Sequence, residues 1–156
     1  MEQYIISVTG HRELSHDEVF VAAEFKRYID ILHEIYPYRE LVVQTGMALG
    51  FDLCIAEFCL SNGIPYIACL PFASHLAGNE IFELLKSQAR KVQVISEGEY
   101  SKDKYIIRDD YLAKSCGEMY AYLIKPGPSG TRTTVNFAKK YGKRVTYFQD
   151  LEYEEF

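Results

Sequence analysis

The chain has 156 residues, 48% of them apolar, which suits one domain with a sizeable core. A net charge of −5 argues against a nonspecific nucleic-acid binder, which needs a basic face, although a local basic patch stays compatible with it. The start MEQYIISVTG lacks the basic end and long apolar stretch of a signal peptide, and no run reaches the length of a membrane span, so the expectation is a cytoplasmic domain with no membrane partner.

In chain order, YIISV (4–8) is a short β-rich run that stops at TG. Residues 15–36 carry the period of an amphipathic helix, with Ser15 and Glu18 spaced as a capping box and Pro37 as the stop. ELVVQ (40–44) predicts a second strand, 51–62 a helix closed by Gly63, and PYIACLPF (65–72) a third strand. A helix over 81–91 leads to a fourth strand, VQVIS (92–96). Residues 103–116 read as a helix and EMYAYLI (118–124) as a fifth strand. A helix over 133–142 and a sixth strand, RVTYFQ (144–149), precede the acidic tail DLEYEEF. Strands alternate with helices throughout, and the strands are nearly continuous apolar runs. That pattern predicts a single α/β domain over 1–156: a Rossmann-like, doubly wound, mainly parallel sheet of about six strands with helices on both faces.

Cys54, Cys59, Cys69 and Cys116 form no CxxC and share no ligand spacing with the four histidines. They read as buried free thiols of a reducing compartment, and no metal is expected.

In such a sheet ligands bind beyond the carboxyl ends of the strands, so the loops there carry the argument. They read TGHRE after the first strand, TGMALGFD after the second, PF after the third and KPGPSGTRT after the fifth. Glycine lets backbone approach a ligand, and free N–H groups at the next helix start bind an anion. Thr9, Gly10, His11 and Arg12 from the first loop are therefore candidate ligand-binding residues. Gly46, Met47 and Gly50 join them from the second, Pro71 from the third, and Ser129, Gly130, Thr131 and Arg132 from the last. None of these is a Walker A loop or a full GxGxxG; a plain strand-to-helix turn is the competing reading of each.

Arg12, Arg108 and Arg132 are candidates for neutralising a phosphate. Salt-bridged surface positions are the alternative, with Asp109 and Asp110 as the partners for Arg108. His11 suits a phosphate contact, an acid/base role or a structural one. Asp52 suits either a helix-start carboxylate or a hydrogen bond to a ribose hydroxyl. Asp52 and Glu57 are the two candidate catalytic carboxylates.

VTGHRE, TGMALGFDLCIAE, PF, YIIRDDYLAKS and SGTRTTVNFAKKYGKRV, in this order from about residue 5 to 148, resemble the SLOG superfamily, with the YpsA-like group as the branch most similar. The resemblance implies a Rossmann-like fold that binds nucleotides or nucleotide-derived ligands, with Gly10, Gly46, Gly50, Gly130 and Thr131 lining the site and Arg108 reaching in. The superfamily includes the DNA-processing protein DprA and the Lonely Guy phosphoribohydrolases, which cleave the N-glycosidic bond of nucleoside monophosphates. Their PGGxGTxxE motif carries a catalytic Glu; this chain has GPSGTRTT, with Thr134 at that position, and threonine cannot serve as a carboxylate base. The YpsA-like group usually has Asn where Asp109 stands.

Three functions remain compatible. The first is a module that senses or sequesters a nucleoside monophosphate, NAD or ADP-ribose type of ligand, with no cofactor. The second is a nucleotide N-glycosidase or phosphoribohydrolase using Asp52 or Glu57. The third is a protein-interaction module with a vestigial pocket. A homodimer fits any of them. The first and fifth strands are expected to be neighbours, because their loops must share the ligand.

Overall fold

A computed structural model describes residues 1–150, so all of the acidic tail from residue 151 onward lies outside the described residues. The elements follow in strict alternation: β1 (Glu2–Gly10), α1 (Glu18–Ile35), β2 (Arg39–Thr45), α2 (Phe51–Ser61), β3 (Tyr66–Leu70) and α3 (Glu80–Gln88). After them come β4 (Lys91–Val94), α4 (Lys102–Ser115), β5 (Glu118–Tyr122), α5 (Gly130–Lys140) and β6 (Arg144–Tyr147). All strand pairs are parallel, in the order β4-β3-β2-β1-β5-β6. This is a Rossmann-like α/β fold.

The chain runs from β1 out to β4 and then back across to β5. In keeping with that path, α1, α2 and α3 pack in sequence on one face while α4 and α5 pair on the other. The period of two along β5 serves both faces. Tyr120 and Tyr122 enter the larger core with Phe25, Tyr28 and Phe51, whereas Met119 and Ala121 join Ala113, Val135 and Ala138 under α4 and α5. The Tyr-rich run EMYAYLI is thus a core strand.

The direction of winding reverses between β1 and β5, and β1 pairs with β2 on its other side. Gly10 is in register with Tyr122, and Val8 with both Thr45 and Tyr120, so the loops after β1, β2 and β5 leave the sheet side by side. This is the position at which a doubly wound sheet opens a ligand crevice.

Polar residues in the central strands dock α4. Ser7 Oγ donates to the Leu112 carbonyl at 2.8 Å, and Gln44 Nε2 donates to Ser115 Oγ at 2.8 Å and Ser7 Oγ at 3.0 Å. Buried Ser7 and Gln44 thereby find partners.

Two helix starts differ from the sequence reading. Asp17, not Ser15, caps α1, accepting from the Val19 N–H at 2.8 Å, while the Ser15 N–H donates to the Tyr122 hydroxyl at 3.1 Å. Helix α5 begins at Gly130 rather than at 133, because Ser129 supplies the cap that local periodicity does not register. No helix among the described residues is long and apolar enough to cross a membrane.

Candidate functional site

A cleft of about 330 Å³ opens over the carboxyl ends of β1 and β5. Thr9 to Arg12 form one wall, Ala48 and Asp52 the second, Ser129 to Thr131 with Thr134 the third, and one side of α4 the roof.

The third wall is the start of α5. Ser129 Oγ accepts from the Arg132 N–H at 3.0 Å and the Ser129 carbonyl from the Thr133 N–H at 3.0 Å. The second is the first regular bond of the helix; the first uses one of the orphan donors of a helix start, and the N–H groups of Gly130 and Thr131 are left without a partner among the described residues. The helix dipole adds positive potential at the same place. Arg132 does not face the cleft: its Nε donates to the Gly127 carbonyl at 2.9 Å and closes the loop before α5.

The second wall carries a carboxyl group in an unusual setting. Asp52 is 5% exposed, and its Oδ2 accepts from the Ala48 N–H at 3.2 Å. Its Oδ1 has no hydrogen-bond partner among the described residues. Burial pushes its pKa up to about 7, against the pull of Arg108 and the Ala48 N–H.

The roof is one face of α4. Tyr105, Arg108, Asp109 and Leu112 recur at helical spacing and all line the cleft. Arg108 is buried; its Nε donates to Asp109 at 2.9 Å and its Nη1 to the Gly46 carbonyl at 2.6 Å. Its guanidinium also lies 5.7 Å from the Tyr105 ring centroid. Of the two partners expected for Arg108, Asp109 is the one it takes, while Asp110 accepts from the Tyr141 hydroxyl. Burial raises the Asp109 pKa, opposed first by Arg108.

His11 ties the first wall to the loop after β5. Its Nε2 accepts from the N–H groups of Ile124 at 3.2 Å and Lys125 at 3.3 Å, so the neutral ring carries its proton on Nδ1. Burial, with Lys125 and Arg132 nearby, lowers its pKa.

Of the residues expected from sequence, the cleft brings together Thr9, Gly10, His11, Arg12, Asp52, Arg108, Ser129, Gly130 and Thr131. Gly46, Met47, Gly50, Glu57, Pro71 and Arg132 are not on its wall. Glu57 is on the exposed side of α2. Met47 is fully buried in the core, and its carbonyl is 3.0 Å from His75 Nε2. The Pro71 carbonyl accepts from the Ser96 N–H at 3.2 Å, joining the ends of β3 and β4. The space at the two glycines of the second loop is filled by the protein itself. A Cβ on Gly46 would lie 2.8 Å from the Arg108 guanidinium, and one on Gly50, whose φ is +85°, 2.1 Å from the Arg12 carbonyl oxygen. Ala48, Tyr105, Leu112 and Thr134 were not among the expected site residues, nor was Asp109. The i, i+3, i+4, i+7 spacing of 105, 108, 109 and 112 is the signal that would have found the α4 members. Among the described residues no cluster of three or more His, Cys, Asp or Glu is arranged to hold a metal ion.

No protein-family model and no curated protein matches the chain. Its fold is shared by solved structures of DNA processing protein A. DNA processing protein A from Streptococcus pneumoniae superposes with a TM-score of 0.73 at 22% identity, over 93% of this chain and 50% of that one. DNA processing protein A from Helicobacter pylori, in a structure describing its single-stranded DNA binding mode, gives 0.67 at 15% identity, over 94% of this chain and 65% of that one. This chain therefore spans between half and two thirds of their lengths, and the likeness is one of Rossmann-like fold.

The neighbours overturn one expectation from composition. The argument against nucleic acid rested on the net charge of −5, yet a protein with this fold binds single-stranded DNA. The physical reason is that net charge averages over the whole surface, while binding responds to the local field. Here Arg12 lines the cleft and Lys102 stands beside it, cations that the total of −5 does not register.

Proposed function

We propose that this domain belongs to the SLOG superfamily, in its YpsA-like branch, and binds a nucleotide or nucleotide-derived ligand in the cleft as a sensor or sequestering module. One observation carries the reading: buried Asp52, whose Oδ1 has no partner among the described residues, lines the same cleft as the two free N–H groups at the start of α5. A phosphate sits on the Gly130 and Thr131 N–H groups with Arg12 beside it. A ribose hydroxyl satisfies Asp52. The ligand is a nucleoside monophosphate or a nucleotide of the NAD or ADP-ribose type. Thr134, standing where phosphoribohydrolases carry their catalytic Glu, donates its hydroxyl to the Gly130 carbonyl at 2.9 Å and brings no charge, which favours retention of the ligand over cleavage.

A second reading is favoured by the Asp52 pKa of about 7, which suits a general acid or base at neutral pH. In that reading water adds across the N-glycosidic bond, Asp52 moves the proton, and free base and ribose phosphate are released. Glu57, on the exposed side of α2, is no longer a candidate for that role in this proposal.

Calorimetry and mass spectrometry of the purified chain with nucleoside monophosphates, NAD, ADP-ribose and a short single-stranded oligonucleotide separate these outcomes. Tight binding with the nucleotide recovered intact supports the sensor. Release of free base supports the hydrolase. Binding of the oligonucleotide alone replaces the small-molecule ligand by a nucleic acid, as in the Helicobacter neighbour.

A further inference from the structure

The cleft does not end at its roof. A second compartment of about 420 Å³ adjoins it at the starts of α4 and α5, and Arg12, Tyr105, Asp109 and Gly130 line both. Tyr100, Lys102, Ile106 and Thr133 complete the outer compartment. Its character differs from the inner one. Beside the shared residues the inner cleft has Asp52, Arg108 and the Ser129–Thr131 backbone, whereas the outer one adds the Tyr100 ring, the Ile106 side chain and the Lys102 cation.

Tyr100 is the distinctive member. It is 67% exposed, so its ring is open to contact from outside the chain. Its two ring neighbours, Phe72 at 5.8 Å and Tyr105 at 6.1 Å, meet it at 88° and 63°, so neither lies parallel to it. The loop that carries it is held in place. Lys104 Nζ donates to the Glu99 carbonyl, and Phe72 and Tyr105 meet edge to face at 5.6 Å below the ring. Arg12 and Arg108 approach the Tyr105 ring, at 5.9 Å and 5.7 Å from its centroid, and so link the aromatic compartment to the cationic side of the inner cleft.

We propose that the outer compartment is a nucleobase subsite in which the ring of Tyr100 stacks on the base of the ligand. The proposal rests on the nucleotide reading of the inner cleft and extends it. With phosphate at the α5 start and ribose at Asp52, the base leaves the inner cleft along the shared wall of Arg12, Tyr105 and Asp109 and reaches Tyr100. Base–aromatic stacking tolerates any base because every base has a π-face, so Tyr100 supplies affinity for the class rather than a choice of letter.

The test compares AMP with ribose 5-phosphate, which carries the same sugar and phosphate without a base. Calorimetry on the full chain is expected to show AMP binding about tenfold or more tighter, the size of one base–tyrosine stack. Tyr100→Ala brings the AMP affinity down toward that of ribose 5-phosphate, and Tyr100→Phe retains it. Ile107→Ala, on an exposed side chain that lines neither compartment, serves as the control. Thermal melts confirm that each variant is folded. Equal affinities for AMP and ribose 5-phosphate would overturn the base subsite and leave the phosphate site standing. A Tyr100→Ala protein that binds AMP as the wild type does would overturn the role of Tyr100. Failure of both ligands to bind would overturn the base subsite, and failure of NAD and ADP-ribose beside them would remove the nucleotide reading as well.

Discussion

Arg108 Nη1 donates to the carbonyl oxygen of Gly46 at 2.6 Å, tying helix α4 to the loop after β2 across 62 positions of sequence. The absent side chain of Gly46 makes the contact fit, since a Cβ there would stand 2.8 Å from the guanidinium carbon. The guanidinium thus acts as a strut between the roof of the cleft and its second wall, and the neighbouring Asp109 balances its charge.

The strut predicts two graded losses. Gly46→Ala pushes the guanidinium aside and costs about 1–3 kcal/mol, the usual range for overpacking a filled site. Arg108→Ala costs more, about 3–5 kcal/mol, because it leaves the buried Asp109 without its cation and the Gly46 carbonyl without its donor. Urea titrations of the two variants check the order. Equal stability of Arg108→Ala and wild type would remove the strut.

Gly50 and Gly130 separate structure from binding. Gly50→Ala places a Cβ 2.1 Å from the Arg12 carbonyl oxygen at a φ of +85°, so it is expected to destabilise the fold severely, by about 3 kcal/mol or more. Gly130→Ala meets nothing within 4 Å and leaves the Tm unchanged or slightly raised. Its new methyl group lies at the two N–H donors proposed to hold phosphate, so ligand affinity falls about tenfold, or about 1.4 kcal/mol. Melting curves and calorimetry on the same pair check both halves.

Asp52 gives the stability curve a definite sign. Its folded pKa of about 7 lies above the ordinary value of 3.8, so the folded state binds the extra proton between those limits. Stability therefore falls as pH rises from about 4 to about 7, with a slope approaching 1.4 kcal/mol per pH unit from this group. Asp52→Asn removes that slope and is expected to be the more stable protein at pH 8. Denaturant titrations at several pH values, read as the difference between variant and wild type, isolate Asp52 from Asp109, which shifts in the same direction. Glu57→Ala is expected to leave both Tm and ligand binding unchanged.

His11 has the opposite sign. Its lowered pKa means that the unfolded chain takes up a proton more readily than the folded one. The neutral ring's stabilisation is full above about pH 6.5 and is lost as pH falls through the folded value, because protonating Nε2 removes the acceptor for the Ile124 and Lys125 N–H groups. His11→Ala loses about 1–3 kcal/mol at neutral pH and flattens this acid limb. An unchanged acid limb would assign it to other groups.

Much of the fold was legible in local pattern. Apolar runs such as YIISV and EMYAYLI could only be strands covered on both faces, and their alternation with helices required a parallel, doubly wound sheet. The neighbouring positions of β1 and β5 followed from asking which loops must share a ligand. Boundaries were less legible where a side-chain cap decided them. Asp17 and Ser129 set the starts of α1 and α5 through single hydrogen bonds that a hydrophobic period does not contain.

The site divides along the same line. By itself the sequence determined the loops at the carboxyl edge and most of the residues they bring to the cleft, because an element's end and a glycine's place in it are local facts. Tertiary structure alone decided what those residues meet. It gave the space at Gly46 and Gly50 to Arg108 and the Arg12 backbone, and it turned Glu57 outward. It also roofed the cleft with Tyr105, Asp109 and Leu112 and buried Asp52 until its pKa rose to about 7. The physical reason is that periodicity and turn chemistry are set by neighbours a few residues away. Desolvation, close approach and the local sign of charge are set by whatever segment packs from the other end of the chain.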